Sequence, residues 1–116
     1  MAGTILINDT ISVAMSGVEF EHVVEAIRPF LSAKNSAIVD EAYNPLDEGG
    51  MDFISVETLN IEDFNVFCDA ALSAFGDEMT KNSITEFQSV WNEVLSNLNS
   101  DPRRAEKQKG GVPRRF

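Results

Sequence analysis

The chain has 116 residues, of which 43% are hydrophobic, and a formal net charge of −10 at pH 7. This length and composition suit one globular domain of about 100 residues with a short extension. The single cysteine, Cys68, cannot form an internal disulfide, which favours a reducing compartment. The amino terminus lacks the charge and apolar run of a secretory signal, and no run of about 18 apolar residues could cross a membrane. We therefore expect a cytoplasmic protein.

The charged residues are divided unevenly between a body and a tail. Residues 1–101 hold 18 of the 19 acidic residues and only three basic ones, whereas residues 102–116 hold six basic residues and one acidic residue. The second part lacks apolar periodicity, so it cannot bury enough surface to become ordered alone. We predict an acidic domain over 1–101 and a disordered basic tail over 102–116. Because surface charge governs association more than fold, the two parts favour partners of opposite sign.

Apolar and polar residues alternate over the first 16 positions, the period of a half-buried strand. Asn8-Asp9 is typical of a tight turn, which divides this stretch into a hairpin of 4–7 against 10–15. One long strand with a bulge at Asp9 is the alternative.

The first helix is predicted over about 17–32. Ser16 and Glu19 have capping-box spacing, and apolar residues follow at helical intervals. Pro29 lies inside this pattern and removes a backbone donor, so a kink or an early stop at Arg28 is expected.

A second hairpin is predicted after that helix. Residues 37–39 and 51–56 are short apolar runs typical of strands. The segment between them is rich in turn-forming and acidic residues, which indicates a long, mobile hairpin tip.

Two further helices complete the predicted fold. Asn60 caps the first of them, and Gly76 follows its apolar face where a left-handed stop is expected. A second capping box at 83–86 opens the last helix, which Asp101-Pro102 ends. The order ββα-ββ-αα predicts an α+β fold, with a small antiparallel sheet of two hairpins covered on one face by three helices.

No catalytic, nucleotide-binding or metal-binding motif is present. His22, the only histidine, lies among acidic residues off the apolar stripe, which predicts a surface residue without a role rather than a metal ligand. Cys68 and Trp91 fall on apolar helix faces and are predicted in the core, where the indole nitrogen needs a hydrogen-bond partner. We expect a non-enzymatic protein without cofactor or metal. An enzyme that uses carboxylates alone is the least favoured hypothesis.

The first functional hypothesis is a binding protein whose acidic body occludes a basic protein partner. Cationic surfaces are typical of nucleases and other nucleic-acid enzymes. The most specific version of this hypothesis is therefore an immunity protein or inhibitor of a nuclease-type toxin. The 40–52 segment is the predicted contact region, with carboxylates for steering and one aromatic anchor. A solvated turn without a role is the alternative. The predicted contact residues are Asp40, Glu41, Tyr43, Asp47, Glu48 and Asp52.

The second hypothesis places the function in the basic tail. The chain would then be an assembly factor or chaperone of a phage or multi-protein complex, with the acidic body serving solubility. No aromatic residue interrupts the tail before Phe116, which argues against stacking on single-stranded nucleic acid. Neither a membrane partner nor nucleic-acid binding by the body is expected. The alternative is a tail that only adds solubility, or an arm that lies against the acidic body of its own chain. The predicted tail contacts are Arg103, Arg104, Lys107, Lys109, Arg114 and Arg115.

Overall fold

The computed structural model describes residues 2–82, without the side chain of Asn82, and residues 87–104. The elements are β1 (Ala2–Leu6), β2 (Ser12–Ser16), α1 (Gly17–Lys34), α2 (Ser36–Asp47), β3 (Phe53–Ser55), α3 (Ile61–Asn82) and α4 (Gln88–Asn99). A last helical turn covers 102–104. The three strands form one sheet in the order β2-β1-β3, packed with the helices. The predicted α+β class is confirmed.

The predicted first hairpin is present as β1 and β2, which run antiparallel with Ile5 opposite Val13. The Asn8 side chain closes the turn, because its oxygen accepts the backbone N–H groups of Thr10 and Ile11, both at 2.9 Å. Such local hydrogen bonds are the reason asparagine favours turns. Of the apolar residues in the alternation, Ile5, Ile7, Val13 and Met15 are buried in the core, and Ile11 packs against it partly buried.

Helix α1 begins with the predicted capping box. The Ser16 hydroxyl accepts the Glu19 N–H at 3.1 Å, and the Glu19 carboxylate accepts the Ser16 N–H at 3.0 Å. The helix continues through Pro29 to Lys34, so the early stop expected at Arg28 is wrong. Leu31, two residues after Pro29, is fully buried and packs the last turn against the core, and this packing outweighs the backbone bond that proline removes.

The predicted second hairpin is wrong, because 36–47 forms helix α2. The Asn35 side chain caps this helix by accepting the Ala37 N–H at 3.0 Å. A short apolar run fits a strand or a helix equally, and its continuation decides between them. Here buried residues recur at helical intervals, namely Ile38, Val39, Ala42 and Tyr43. The expected strand at 37–39 is therefore the first turn of a helix.

Only the second half of that predicted hairpin is extended. Strand β3 covers Phe53–Ser55, and it pairs parallel with β1, with Ile54 beside Ile5. The sheet is therefore mixed rather than antiparallel, and the element order is ββα-αβ-αα. Gly50 has φ of 65°, a left-handed conformation that glycine adopts without strain, and it reverses the chain between α2 and β3.

Helix α3 begins as predicted but ends later. The Asn60 side chain accepts the Asp63 N–H at 2.7 Å, which caps the helix. The helix then runs through Gly76 to Asn82, so the left-handed stop at Gly76 is wrong. A glycine inside a helix costs only about 1 kcal/mol, which the packing of α3 offsets. The capping box predicted at 83–86 lies outside the described residues.

Cys68 and Trp91 are buried in the core, as predicted. Burial raises the pKa of the Cys68 thiol to about 12. The Trp91 indole nitrogen donates to the Glu78 carboxylate at 3.2 Å, which supplies the partner it needs. The same oxygen lies 2.8 Å from the His22 ring nitrogen, and that ring stacks on Phe87 at 4.0 Å. The expectation that His22 is a surface residue without a role is therefore wrong, since its ring joins α1 to Glu78 on α3 and to Phe87 just before α4.

The segment after α4 is held by one arginine. The Arg103 guanidinium lies 3.9 Å above the Phe64 ring and binds both oxygens of Asp101, which is 1% exposed. It also donates to three backbone carbonyls, those of Ile7, Val56 and Leu59, at 2.7, 2.8 and 2.8 Å. We call Arg103, Asp101 and these three carbonyls the Arg103 clamp. It joins the ends of β1 and β3 to the chain that follows α4.

The predicted tail therefore begins too early. Arg103 belongs to the clamp, and Arg104 donates to Asn65 at 2.7 Å and to Asp69 at 3.1 Å on α3. The expectation that these two arginines are free for a partner is wrong, because both are hydrogen-bonded to the body. The other predicted tail contacts, Lys107, Lys109, Arg114 and Arg115, lie outside the described residues.

We predict that Arg103→Ala lowers the free energy of unfolding by about 3 kcal/mol, because it removes the cation that pairs with the buried Asp101 carboxylate and the side-chain donor to three backbone carbonyls. Urea unfolding followed by circular dichroism measures this change. Lys81→Ala is the matched control, because the Lys81–Asp77 pair is exposed and contributes less than about 0.5 kcal/mol. Equal losses in the two variants would contradict a central role of the clamp.

A second prediction concerns Asp101 and acid. Burial alone would raise the pKa of Asp101, but hydrogen bonds from Arg103 and Asn8 outweigh it and lower the pKa below 3.8. A lowered folded-state pKa adds stability above the unfolded-state value, and this stability is lost as the pH falls through the folded-state value. The stability difference between wild type and Asp101→Asn should therefore be constant from pH 7 to about pH 4 and shrink below it. Urea titrations at each pH test this, and a difference that persists at pH 2 would contradict it.

Candidate partner-binding site

The predicted contact residues lie on α2 and on the loop that leads to β3. Five of the six are acidic and exposed: Asp40, Glu41, Asp47, Glu48 and Asp52. They are exposed because the opposite side of α2 carries the apolar stripe that packs on the rest of the domain. The structure thus brings these carboxylates to one helix and its following loop, rather than to a hairpin tip.

Tyr43 does not belong to this exposed set. It is 0% exposed, and its hydroxyl donates to the Val24 carbonyl of α1 at 2.5 Å. The Arg28 guanidinium lies over its ring at 4.4 Å, and burial raises the pKa of the phenol. The prediction of Tyr43 as an anchor for a partner is therefore wrong, because its contacts hold α2 against α1.

Arg28 connects the acidic residues of the two helices. It forms two hydrogen bonds with Asp47, at 2.9 and 3.0 Å, and two with Glu25, at 3.1 and 3.0 Å. The hydrogen bonds from Arg28 lower the pKa of Asp47 below its ordinary value. Both carboxylates are therefore partly neutralised, and they accept four hydrogen bonds from the five N–H groups of Arg28.

The other predicted carboxylates have more freedom. Glu41 accepts a hydrogen bond from the Thr58 hydroxyl at 2.5 Å. Within residues 2–81 and 87–104, Asp40, Glu48 and Asp52 form no ion pair. These three exposed charges are available to a cationic partner.

An open groove of about 680 Å³ lies between the start of α1 and the end of α2. Its floor is apolar and is formed by Phe20, Val24 and Leu46. Its rim is charged and carries Glu21, Glu25, Arg28, Asp47 and Asp52. We call this feature the α1–α2 groove; it combines an apolar base with mainly acidic walls.

Sequence reasoning missed the contribution of α1 to this site. Glu21 and Glu25 are four residues apart, so they share one exposed side of the helix. Val18, also in the lining, is 69% exposed although it is apolar. The spacing of the two glutamates is visible in the sequence, but their position beside Asp47 and Asp52 depends on how α1 and α2 pack.

The described residues contain no group of three histidine, cysteine, aspartate or glutamate side chains arranged to hold a metal ion. In the same part of the chain, no helix is both long and apolar enough to span a bilayer.

Comparison with known proteins identifies related chains. No protein-family model matches. The immunity protein CdiI of Burkholderia pseudomallei is 33% identical over 103 residues, which cover 89% of this chain and 94% of that protein. A chain in the solved structure of the CdiA-CT toxin from Burkholderia pseudomallei E479 in complex with its cognate CdiI immunity protein is 31% identical. It superposes with a TM-score of 0.83 over 88% of this chain and 98% of that chain.

Both similarities extend over nearly the full length of each pair of chains, so they describe the whole domain and not one motif. The predictions of an immunity protein and of a protein that is not an enzyme are confirmed: the chain belongs to the CdiI immunity protein family.

Proposed function

We propose that this chain binds the CdiA-CT toxin of its own strain, and that this toxin is a nuclease with a basic surface. The related CdiI immunity protein is found in a complex with its cognate CdiA-CT toxin, which supports a partner of the same kind here. The charge of the chain supports the basic character of that partner, since residues 1–101 include 18 acidic residues and only three basic ones.

The single observation that carries the proposal is that most basic side chains of the domain are already paired with acidic side chains of the same chain. Four of the five basic side chains in the described part of the chain form ion pairs with acidic side chains, namely Arg28, Lys81, Arg103 and Arg104. The fifth, Lys34, is exposed at the end of α1, outside α2 and its loop. The remaining exposed charge on α2 and its loop is therefore negative. A surface of one sign attracts a cationic partner and speeds encounter by about 10- to 1,000-fold.

The mechanism is occlusion and needs no chemical step. A nuclease binds phosphates with basic side chains, and an acidic surface placed over them blocks substrate by charge and by volume. Tyr43 and Arg28 hold α2 against α1 before binding, so little conformational entropy is lost when the partner docks.

We predict that the triple variant Asp40→Asn, Glu48→Gln and Asp52→Asn lowers the association rate with the toxin by about tenfold, because it removes the free charges of this face. Surface plasmon resonance with the purified CdiA-CT domain of the same strain measures the rate. For the wild type, the rate should also fall as NaCl rises from about 20 mM to about 500 mM, since salt screens exposed charges.

The matched control is Asp9→Asn, Glu57→Gln and Glu93→Gln, which removes the same number of exposed charges elsewhere. Asp9 and Glu57 lie near the Arg103 clamp, at the other end of β1 from the groove. A similar loss in both triple variants would contradict the assignment to α2. An affinity that is independent of salt would contradict a basic partner.

The nuclease character has its own test. The toxin domain is incubated with RNA and with DNA, alone and with the wild-type chain, and cleavage is followed on gels. We expect the toxin to cleave one of the two and the chain to suppress cleavage at equimolar concentration. A toxin that is inhibited by the chain in cells but leaves both nucleic acids intact would overturn the nuclease assignment.

A further inference from the structure

We propose that the α1–α2 groove is the centre of the toxin interface and receives a long basic side chain, lysine or arginine, from the toxin. This inference rests on the proposed function and adds to it the contact site and the chemistry of the contact. The aliphatic stem of the basic side chain would lie on the apolar floor, and its charged head would meet the acidic rim.

The composition of the groove fits such a side chain. Lysine and arginine carry an apolar stem and a charged head, and they place the two in different environments. The floor of Phe20, Val24 and Leu46 accepts the stem, and Glu21 and Asp52 on the rim accept the head. At about 680 Å³, the groove lies within the size range of ligand pockets, so it has room for this side chain and its neighbours.

The charges exclude an anionic occupant. Among the described residues, Arg28 is the single basic one that lines the groove, and it already binds Glu25 and Asp47 through four hydrogen bonds. Within residues 2–82 and 87–104, the groove therefore offers no unpaired cation to a phosphate or a carboxylate. A cationic side chain, in contrast, finds two rim carboxylates, Glu21 and Asp52, that form no ion pair within the described part of the chain.

Exposed apolar residues beside the groove indicate a protein surface. Val18 and Met51, 69% and 52% exposed, are the most exposed large hydrophobic residues in the described part of the chain. Val18 lines the groove, and Met51 precedes the rim residue Asp52. Protein interfaces typically combine such an apolar centre with a polar rim, and methionine is enriched in them.

The floor of the groove is held in place by close packing. Phe20 lies against Gly3, where an added Cβ would come within 2.2 Å of the ring. The ring therefore rests directly on the backbone of β1 and cannot move inward. A preformed floor lowers the entropy cost of binding.

Cysteine labelling tests whether the toxin covers the groove. Cys68 is 2% exposed and its pKa is raised to about 12, so the wild type should react very slowly with maleimide at pH 7. The variants V18C and L72C each add one exposed thiol, at the groove and on α3 respectively. We expect the purified toxin domain to slow labelling of V18C at least about tenfold and to leave labelling of L72C unchanged.

Charge reversal tests the chemistry of the contact. Glu21→Lys should weaken toxin affinity at least about tenfold, because a rim carboxylate that meets a cation becomes a repelling charge. Glu93→Lys, an exposed position on α4 with the same change in net charge, is the matched control and should change affinity less than about threefold. Thermal unfolding of each variant verifies that the fold persists.

The outcomes separate the two proposals. If the wild type binds the toxin but V18C stays fully reactive, or if Glu21→Lys binds as well as Glu93→Lys, the groove is not the contact and the proposed function stands. If labelling of V18C slows with protein concentration in the absence of toxin, a second copy of the chain covers the groove and the inference is overturned. If the wild type does not bind the toxin, the proposed function itself is wrong.

Discussion

The domain depends on a single arginine that satisfies the backbone where its elements meet. The carbonyls of Ile7, Val56 and Leu59 lie just after β1, just after β3 and just before α3, where no strand or helix supplies their donors. The Arg103 guanidinium reaches all three, because its five N–H groups spread in a plane. Asp101 neutralises its charge, so the segment after α4 becomes part of the body.

Two other arginines also bind other parts of the same chain. Arg28 joins α1 to α2, Arg103 closes the far end of β1, and Arg104 binds the side of α3. These three arginines therefore bind groups of the same chain, while most carboxylates of the described residues are exposed. The two ends of β1 then differ in character, since one is filled by the clamp and the other opens into the α1–α2 groove. In the complex proposed above, a preformed surface of this kind would bind the partner with less loss of entropy.

The candidate site was predictable in part. The exposed acids of the 40–52 segment follow from composition, and they lie near one another whether that segment is a hairpin or a helix. Tyr43 was predicted as a partner anchor because an aromatic residue in an exposed loop is typical of a contact residue. The segment is a helix instead, and Tyr43 lies on its buried side with Ile38, Val39 and Ala42. The apolar run at 37–39 is equally compatible with a strand and with a helix. The strand was predicted from these three residues alone, whereas the helical spacing becomes visible only with Ala42 and Tyr43 in the next turn.

The sequence alone determined the α+β class, the first hairpin, the capping box of α1, the burial of Cys68 and Trp91, and the acidic character of the body. Each of these depends on neighbours within a few residues, or on composition. Only the tertiary structure decided that β3 pairs parallel with β1 and that Glu21 and Asp52 line one groove. It also decided that Arg103, predicted in the basic tail, binds Asp101 and three backbone carbonyls of the domain. These features join residues 31 to 96 positions apart, and such contacts depend on how whole elements pack rather than on any local pattern.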